Sequence, residues 1–286
     1  MLLDSITNGY QSSDGNGYRE HVVANLSQCT VTMIGSLQAG TMTNNENDGY
    51  PGATIDQIAS NPDTASSLAS MPNVVLLHAG TVDMNQNQDV TDAPTRLGNL
   101  IDQILDSCPN ATIFVASLIP SADDATQANI IQYNYALPAV VAARSDAGHE
   151  VFLVDMFRQL DQYSDLADEL YPNDSGYEKM GETWLAAMNY AYYELGWIAN
   201  APGSSVPPGT GPCVPVGQKF DPSLTLRILP LGASITWGVG SSDLTGFRND
   251  LRELLVSNGA SVNVSFPLQS TSILCDALYC MTLSRC

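Results

Sequence analysis

Short apolar runs alternate with stretches of helical periodicity along the first 198 residues, and this alternation limits the folds open to the chain. The apolar runs lie at 30–35, 73–79, 111–117 and 150–155. The helical stretches lie at about 16–27, 54–60, 92–107, 124–146 and 175–195. Runs that are apolar throughout are typical of strands buried on both faces of a parallel sheet. We therefore predict an α/β fold in which helices cover a central, doubly wound parallel sheet.

One passage of the chain occurs twice. Residues 2–26 and 231–255 align without a gap, and both contain Ser-Ile-Thr followed by Ser-Ser-Asp, Gly and Arg. Each copy places a serine, Ser5 or Ser234, just before a turn-rich loop and a helix. A hydrolytic α/β enzyme holds its nucleophile at such a position, at the carboxyl end of a strand. The repeat therefore marks Ser5 as the candidate nucleophile and Ser234 as the alternative.

The two copies differ in what precedes them. Four residues precede Ser5, too few for a central strand, whereas the apolar run 226–231 before Ser234 predicts one. Residues 199–225 are rich in Pro, Gly and Ser, and a linker of this kind could cross a whole domain at roughly 3.3 Å per residue. We hypothesise that 226–231 inserts between the first two predicted strands, so that Ser234 competes with Ser5. Disorder at the end of the domain is the simpler alternative.

The charge and the cysteines narrow the range of partners. A formal net charge of −20 argues against nucleic-acid and membrane-surface partners and suits a neutral sugar. No run is long enough to span a bilayer. The six cysteines lack CxxC spacing, which argues against a zinc ribbon. We expect neither a metal nor a cofactor. The chain shows no signal peptide, but its glycosylation sequons favour an extracellular lineage. These sequons begin at Asn25, Asn110, Asn173 and Asn263.

Four ordered motif blocks carry a family resemblance. They are DSIT at 4–7 with SSDGNGYR at 12–19, the stretch 31–59, LLHAGTVDMN at 76–85, and DELYPNDSGYEKMGETW at 168–184. Together they resemble the SGNH (GDSL-like) hydrolases, and 31–59 resembles carbohydrate esterase family three, which contains fungal acetylxylan esterases. The resemblance implies a three-layer, flavodoxin-like fold with a central parallel sheet. It also implies hydrolysis of an acetylated polysaccharide or a small ester by a serine nucleophile.

The resemblance assigns roles to individual positions. Ser5 matches the nucleophile, Gly52 matches a backbone oxyanion donor, and Asp168 matches the carboxylate that orients the base. Gly52 can equally be a plain turn glycine. Two positions differ from the family pattern: Val82 replaces an asparagine of the oxyanion hole, and Tyr171 replaces the histidine base. A phenol with a pKa of about 10 stays protonated at neutral pH and accepts a serine proton poorly.

The motif blocks divide the chain into four segments. Residues 1–198 form an SGNH hydrolase-like domain that lacks its first strand, and 199–225 form the linker. Residues 226–263 form a partial second SGNH motif that could supply the missing strand, and 264–286 form an irregular tail.

Three hypotheses follow. The first is an SGNH-type carboxylester hydrolase of acetylxylan deacetylase lineage with impaired activity. The alternative is a catalytically silent relative that binds carbohydrate. The third, compatible with either, is a damaged fragment of a tandem esterase.

Overall fold

The computed structural model describes residues 2–3, 5–26, 31–199, 201, 225–228 and 261–264. The chain divides into two compact units, Met1–Pro215 and Val216–Cys286, and the boundary falls within the predicted linker. Each unit is described by itself below.

The described elements follow one another in α/β order. The strands are β1 (Leu2–Leu3), β2 (Leu37–Gln38), β3 (Glu46–Gly49), β4 (Val74–His78), β5 (Thr112–Ala116), β6 (Val151–Val154), β7 (Thr225–Ile228) and β8 (Ser261–Val264). The helices are α1 (Ser5–Asn8), α2 (Tyr18–Asn25), α3 (Ile55–Ser60), α4 (Pro62–Leu68), α5 (Thr81–Asn85), α6 (Ala93–Ser107), α7 (Asp124–Ser145) and α8 (Asp174–Tyr193), with a 3₁₀ helix at Phe157–Gln159.

Unit 1 contains a six-stranded sheet in the order β2-β3-β1-β4-β5-β6. Only β2 runs antiparallel to its neighbour, and the other four pairings are parallel. If the five parallel strands are counted in chain order, their spatial order is 2-1-3-4-5, which is the flavodoxin-like order. The predicted α/β fold with a central parallel sheet is therefore confirmed. Sheets of this type bind ligands where the strand order reverses, here at the carboxyl ends of β1 and β4.

Helices cover both faces of this sheet. All five residues of β5 are buried, which requires a layer on each side. Helix α2 packs against α8, while α6 packs against both α3 and α7. Trp184 of α8 and Tyr18 of α2 are fully buried with their rings 6.0 Å apart. The arrangement is thus three-layered. None of the helices in the described part of the chain is long and apolar enough to cross a membrane.

The central strand before Ser5 is present, although it is only two residues long. Leu2 and Leu3 pair with Asp48 and Gly49 of β3 on one side and with Leu77 and His78 of β4 on the other. The prediction that the first domain lacks this strand is therefore wrong. Two residues suffice because both of their neighbours are already held in register.

The hypothesis that 226–231 inserts into this sheet is also wrong for the residues that the structure describes. The edges of β3 and β4 that an inserted strand would need are occupied by β1. Thr225–Ile228 pairs instead in parallel with Ser261–Val264 in a two-stranded sheet of unit 2. Residues 229–231 and Ser234 lie outside the described residues.

The remaining strand predictions have a mixed outcome. The strands predicted at 73–79, 111–117 and 150–155 correspond to β4, β5 and β6, but residues 31–35 form no strand. The strand beside β1 is instead the polar sequence Glu46-Asn-Asp-Gly49. Two oxygens of its buried polar side chains accept hydrogen bonds locally: Asn47 Oδ1 accepts from the Gly49 N–H at 3.0 Å, and Asp48 Oδ1 accepts from the Ser36 N–H at 2.7 Å. A search for apolar runs cannot find such a strand.

Candidate active site

Four segments that leave the carboxyl ends of parallel strands carry the predicted site positions. Ser5 follows β1, Gly52 follows β3, Val82 follows β4, and the loop with Asp168 and Tyr171 follows β6. Because the strands are parallel, all four segments leave the sheet at the same edge. The topology therefore groups the motif blocks that are scattered along the sequence.

Ser5 directly faces the position that departs most from the family pattern. Its side chain is 2% exposed, and its Oγ donates a hydrogen bond to the Tyr171 Oη at 3.1 Å. A nucleophile and its base are expected within such hydrogen-bonding reach. The structure thus places a phenol at the position where a base would take the serine proton.

Neighbouring aromatic residues hold the Tyr171 ring. The ring of Tyr10 packs edge-on against it, with centroids 4.7 Å apart and an interplanar angle of 61°. The Tyr177 hydroxyl donates to the Tyr10 carbonyl oxygen at 2.6 Å, which fixes Tyr10 to α8. Tyr10 remains 49% exposed and presents an aromatic surface beside the serine.

Asp168 orders the loop that carries Tyr171. Its Oδ1 accepts hydrogen bonds from the backbone N–H groups of Leu170 and Tyr171, both at 2.8 Å. Its Oδ2 accepts from the Gln11 Nε2 at 3.3 Å. The carboxylate that the family uses to orient a histidine here holds the backbone of the residue that replaces it.

The same loop is anchored at its base. Asp165 is buried and accepts from the Lys179 Nζ of α8 at 2.7 and 2.8 Å. Asn173 caps α8 by accepting from the Gly176 N–H at 3.0 Å, and it donates to the Ser164 carbonyl oxygen at 2.9 Å. A side chain at position 171 is therefore presented from a rigid support.

The oxyanion side of the site is less complete. Gly52 has a φ of 78°, a conformation that favours glycine, and it lies in the exposed turn before α3. This geometry fits both the oxyanion donor and the plain turn glycine. Val82 is buried in α5 and has no side-chain donor. Asn85 is exposed one turn later, and its Oδ1 accepts from the Thr126 hydroxyl at 3.2 Å.

A polar cleft of about 520 Å³ lies beside Asp168. It is lined by Asn85, Ser121, Asp123, Asp168, Glu169 and Leu170. Hydroxyl, amide and carboxylate groups of this kind can pair with the hydroxyl groups of a sugar.

Asp83 links the second and third motif blocks by a hydrogen bond and forms a buried ion pair with Arg96, and sequence reasoning missed both contacts. Asp83 is 1% exposed; its Oδ2 accepts from the Ile55 N–H at 3.0 Å and its Oδ1 from the Arg96 Nη2 at 2.8 Å. Burial raises the pKa of Asp83, although the contact with Arg96 opposes this. Ile55 begins α3, three residues after Gly52, so its hydrogen bond to Asp83 ties the segment after the Gly52 turn to α5. The ion pair borders a second, acidic cleft of about 400 Å³.

A buried arginine anchors the loop that follows Ser5. Arg19 is fully buried, and its guanidinium donates to four backbone carbonyl oxygens at 2.7–3.0 Å. The acceptors belong to Asn8, Gly15, Ala39 and Asn45. Both copies of the repeated passage contain this arginine. The repeat alone did not indicate its role, because its four acceptors come together only in the folded domain.

The described residues contain no cluster of three or more His, Cys, Asp or Glu side chains that could hold a metal ion. Within that part of the chain Cys108 is a free thiol; it donates to the Leu68 carbonyl oxygen at 3.3 Å, and burial raises its pKa. The other cysteines lie outside the described residues.

Residues 4–179, more than half of the chain, match the family model described as the GDSL-like lipase/acylhydrolase family. The chain belongs to this family. A family 3 carbohydrate esterase from Clostridium thermocellum superposes with a TM-score of 0.60 and 31% identity, covering 68% of this chain and 96% of that one. A carbohydrate esterase family 3 structure from Talaromyces cellulolyticus (TM-score 0.56, 20% identity, 66% and 96% coverage) shares the fold. The predicted resemblance is thus confirmed; the truncated second copy stays a prediction.

The chain covers only part of each of its sequence relatives. A multidomain esterase of Ruminococcus flavefaciens is 26% identical over 293 residues, which cover 92% of this chain and 36% of that protein. A protein of Acetivibrio thermocellus is 35% identical over 133 residues, which cover 46% of this chain and 56% of that protein. The chain therefore spans roughly a third to just over half of the lengths of these curated relatives.

Proposed function

We propose that the GDSL-like domain is a carboxylester hydrolase of acetylated carbohydrate whose activity at neutral pH is impaired. Ser5 is its nucleophile. The observation that carries the proposal is the 3.1 Å hydrogen bond from Ser5 Oγ to Tyr171 Oη. This contact supports Ser5 as an intact nucleophile. It also supports Tyr171 as the residue at the base position, where a phenol keeps its proton at neutral pH.

The proposed substrate is an acetylated polysaccharide or a small acetate ester. Similarity to a family 3 carbohydrate esterase supports this class, and the polar cleft beside Asp168 suits sugar hydroxyls. The net charge of −20 favours a neutral polymer over an anionic one.

The proposed reaction needs a proton acceptor twice. Ser5 Oγ attacks the acetyl carbonyl carbon, and the backbone N–H groups of Ser5 and Gly52 stabilise the oxyanion. The base passes the proton of Ser5 Oγ to the sugar oxygen, which leaves as an alcohol, and water then gives its proton to the base as it releases acetate from the acyl-enzyme. Asp168 keeps its family position as the carboxylate that supports the base. Replacing a base by a neutral phenol costs a large part of the rate, since general base catalysis contributes about 10²–10⁴-fold.

Acetate release at neutral pH tests the proposal. Acetylated xylan and a chromogenic acetate ester are supplied to the parent chain and to Ser5→Ala, Ser234→Ala, Tyr171→Phe and Tyr171→His. We expect a slow parent and a gain of about 10²–10⁴-fold in Tyr171→His that Ser5→Ala abolishes. Ser234→Ala should leave this gain unchanged, and Tyr171→Phe serves as the matched control without a base. A fast parent that Ser5→Ala inactivates contradicts our interpretation of Tyr171.

A catalytically silent carbohydrate-binding role is the second candidate. The half-exposed Tyr10 ring, which packs against Tyr171, favours it, because an aromatic surface can bind a sugar without a catalytic base. Calorimetric binding of acetylated xylo-oligosaccharide that Tyr10→Ala weakens, together with no turnover in Tyr171→His, would support this role over hydrolysis.

We also propose an extracellular lineage. Among the sequon asparagines, Asn110 is exposed, whereas the Asn173 side chain is engaged in capping α8. Peptide mapping after expression in a glycosylating secretory host should find glycan at Asn110 and none at Asn173. Glycan at Asn173 contradicts the described cap.

A further inference from the structure

The Ser5–Tyr171 contact has the geometry of a proton transfer and not only that of a blocked site. Ser5 Oγ is the donor and Tyr171 Oη the acceptor, at 3.1 Å. This is the direction and the reach required of a nucleophile and its general base. A neutral phenol in that place is a very weak base, whereas a phenolate is a stronger base than imidazole.

We propose that Tyr171 is itself the catalytic base of this site and acts as a phenolate in alkaline solution. The inference rests on the proposed function, since it takes Ser5 to be the nucleophile. Under this proposal a phenolate, and not an imidazole, takes the proton of Ser5. The esterase activity is then not lost but shifted to high pH.

The surroundings of Tyr171 keep its oxygen on the serine. The edge-on contact with Tyr10 restricts the ring, and Tyr177 fixes Tyr10 in turn. Asp168 holds the Tyr171 backbone N–H at 2.8 Å. The Tyr171 side chain is only half-buried, so the phenol can exchange its proton with bulk water. The oxygen is therefore both positioned and able to titrate.

Several carboxylates lie near the loop that carries Tyr171. Asp168 contacts Tyr171 from its own loop, where Glu169 lies two residues away. Asp174 of α8 holds the segment after Tyr10 by accepting from the Ser13 N–H at 2.8 Å. From the β1–α1 side, the described contacts of Tyr171 include those with Ser5 and Tyr10. A tyrosine phenol ordinarily ionises near pH 10, so we expect the rate to rise toward about that pH.

The proposed steps balance. The phenolate oxygen takes the proton of Ser5 Oγ as the Oγ–carbonyl carbon bond forms. The phenol returns this proton to the sugar oxygen as the ester C–O bond breaks, which leaves acetyl-Ser5 and a regenerated phenolate. The phenolate then takes a proton from water as the hydroxyl oxygen bonds to the acetyl carbon. The phenol returns it to Ser5 Oγ, and acetic acid leaves and ionises in the alkaline medium.

The pH profile of the Ser5-dependent rate tests the inference. Acetate release is measured from about pH 7 to pH 10.5, and the Ser5→Ala rate at each pH is subtracted to remove hydrolysis by hydroxide. We expect the parent rate to rise about tenfold per pH unit below the phenol pKa and Tyr171→Phe to show no such rise. Tyr171→His should instead level off above about pH 6.5–7.5.

Two further measurements locate the titrating group. The tyrosinate absorbance of the parent minus that of Tyr171→Phe should titrate with the midpoint of the rate profile. Replacing Tyr171 with a fluorinated tyrosine, whose phenol is more acidic, should move the rise to lower pH. If the domain unfolds in alkali, this variant still tests the inference, because its rate should rise at a lower pH.

The outcomes separate the inference from the proposed function. If Tyr171→His is active through Ser5 but the parent and Tyr171→Phe have equal rates up to high pH, the phenolate base is ruled out and the esterase proposal stands. If the fluorinated tyrosine leaves the profile unmoved, the phenolate base is ruled out as well. If neither Tyr171→His nor the alkaline parent shows any Ser5-dependent rate, both ideas fail.

Discussion

The Ser5 hydroxyl donates a hydrogen bond to the Tyr171 phenol oxygen at 3.1 Å, although 166 positions separate the two residues in the chain. The first motif block and the last one meet at this contact. It joins a complete nucleophile position to a changed base position, and the proposals above depend on it.

Removing either hydroxyl should destabilise the domain in a coupled way. Because Ser5 Oγ is buried, Tyr171→Phe leaves it without this acceptor and should lower the free energy of unfolding by about 1 kcal/mol. Chemical denaturation of Ser5→Ala, Tyr171→Phe and the double variant gives the coupling energy. We expect about 0.5–1.5 kcal/mol; strictly additive effects would show that the contact contributes nothing.

Asp83 should be a strong determinant of stability. Asp83→Ala leaves Arg96 and the Ile55 N–H without their buried acceptor, and we expect a loss of about 3 kcal/mol. Asp83→Asn keeps an acceptor oxygen and should cost less. An effect below about 0.5 kcal/mol in thermal or denaturant unfolding of Asp83→Ala contradicts this role.

The same residue predicts a pH dependence. Burial raises the folded-state pKa of Asp83 above its ordinary value of 3.8, so the folded state binds this proton more tightly than the unfolded state. Relative to Asp83→Asn, the free energy of unfolding of the parent should therefore increase as pH falls through the folded pKa toward 3.8. Denaturation of both proteins between about pH 7 and pH 4 measures the difference. A relative decrease over that range contradicts the assigned direction.

Arg19 should tolerate no conservative change. Lysine cannot reach all four carbonyl oxygens that the Arg19 guanidinium serves, so Arg19→Lys should lower the free energy of unfolding by about 2–3 kcal/mol. Arg158→Lys is the matched control, because Arg158 is 82% exposed and its ion pair among the described residues is with half-exposed Asp155. Its effect should stay within about 0.5 kcal/mol. Equal effects of the two changes would remove the structural role given to Arg19.

Restoring the lost amide should help only where a base is present. In the Tyr171→His background, Val82→Asn should raise kcat by about 10²–10³-fold if the new amide reaches the oxyanion. The buried position should make the change cost about 1–3 kcal/mol in stability. Val82→Ala in the same background removes the valine without adding a donor and should give no gain. A similar rate in both variants would argue against an oxyanion role for position 82.

Much of the fold followed from the sequence because its signals are local. The apolar runs predicted β4, β5 and β6, and the motif spacing predicted which blocks meet. Two strands, β1 and β3, were not predicted, for different physical reasons. β1 is too short to show a pattern, and β3 is polar, with Asn47 and Asp48 each accepting a hydrogen bond from a nearby backbone N–H.

The candidate site was predictable position by position but not in its contacts. The motifs identified Ser5, Gly52, Val82, Asp168 and Tyr171, yet no pattern indicates that Asp168 holds the Tyr171 backbone. The Asp83–Arg96 pair was not predicted either, because the two residues come into contact only when α3, α5 and α6 are packed together. Ser234 lies outside the described residues, so its role as an alternative nucleophile stays a prediction.

The most direct measurement is the Ser5-dependent release of acetate by the parent and by Tyr171→His at neutral pH. The account predicts a slow parent and a variant that is about 10²–10⁴-fold faster, with Ser5→Ala abolishing the gain. A parent as fast as Tyr171→His at neutral pH would contradict it.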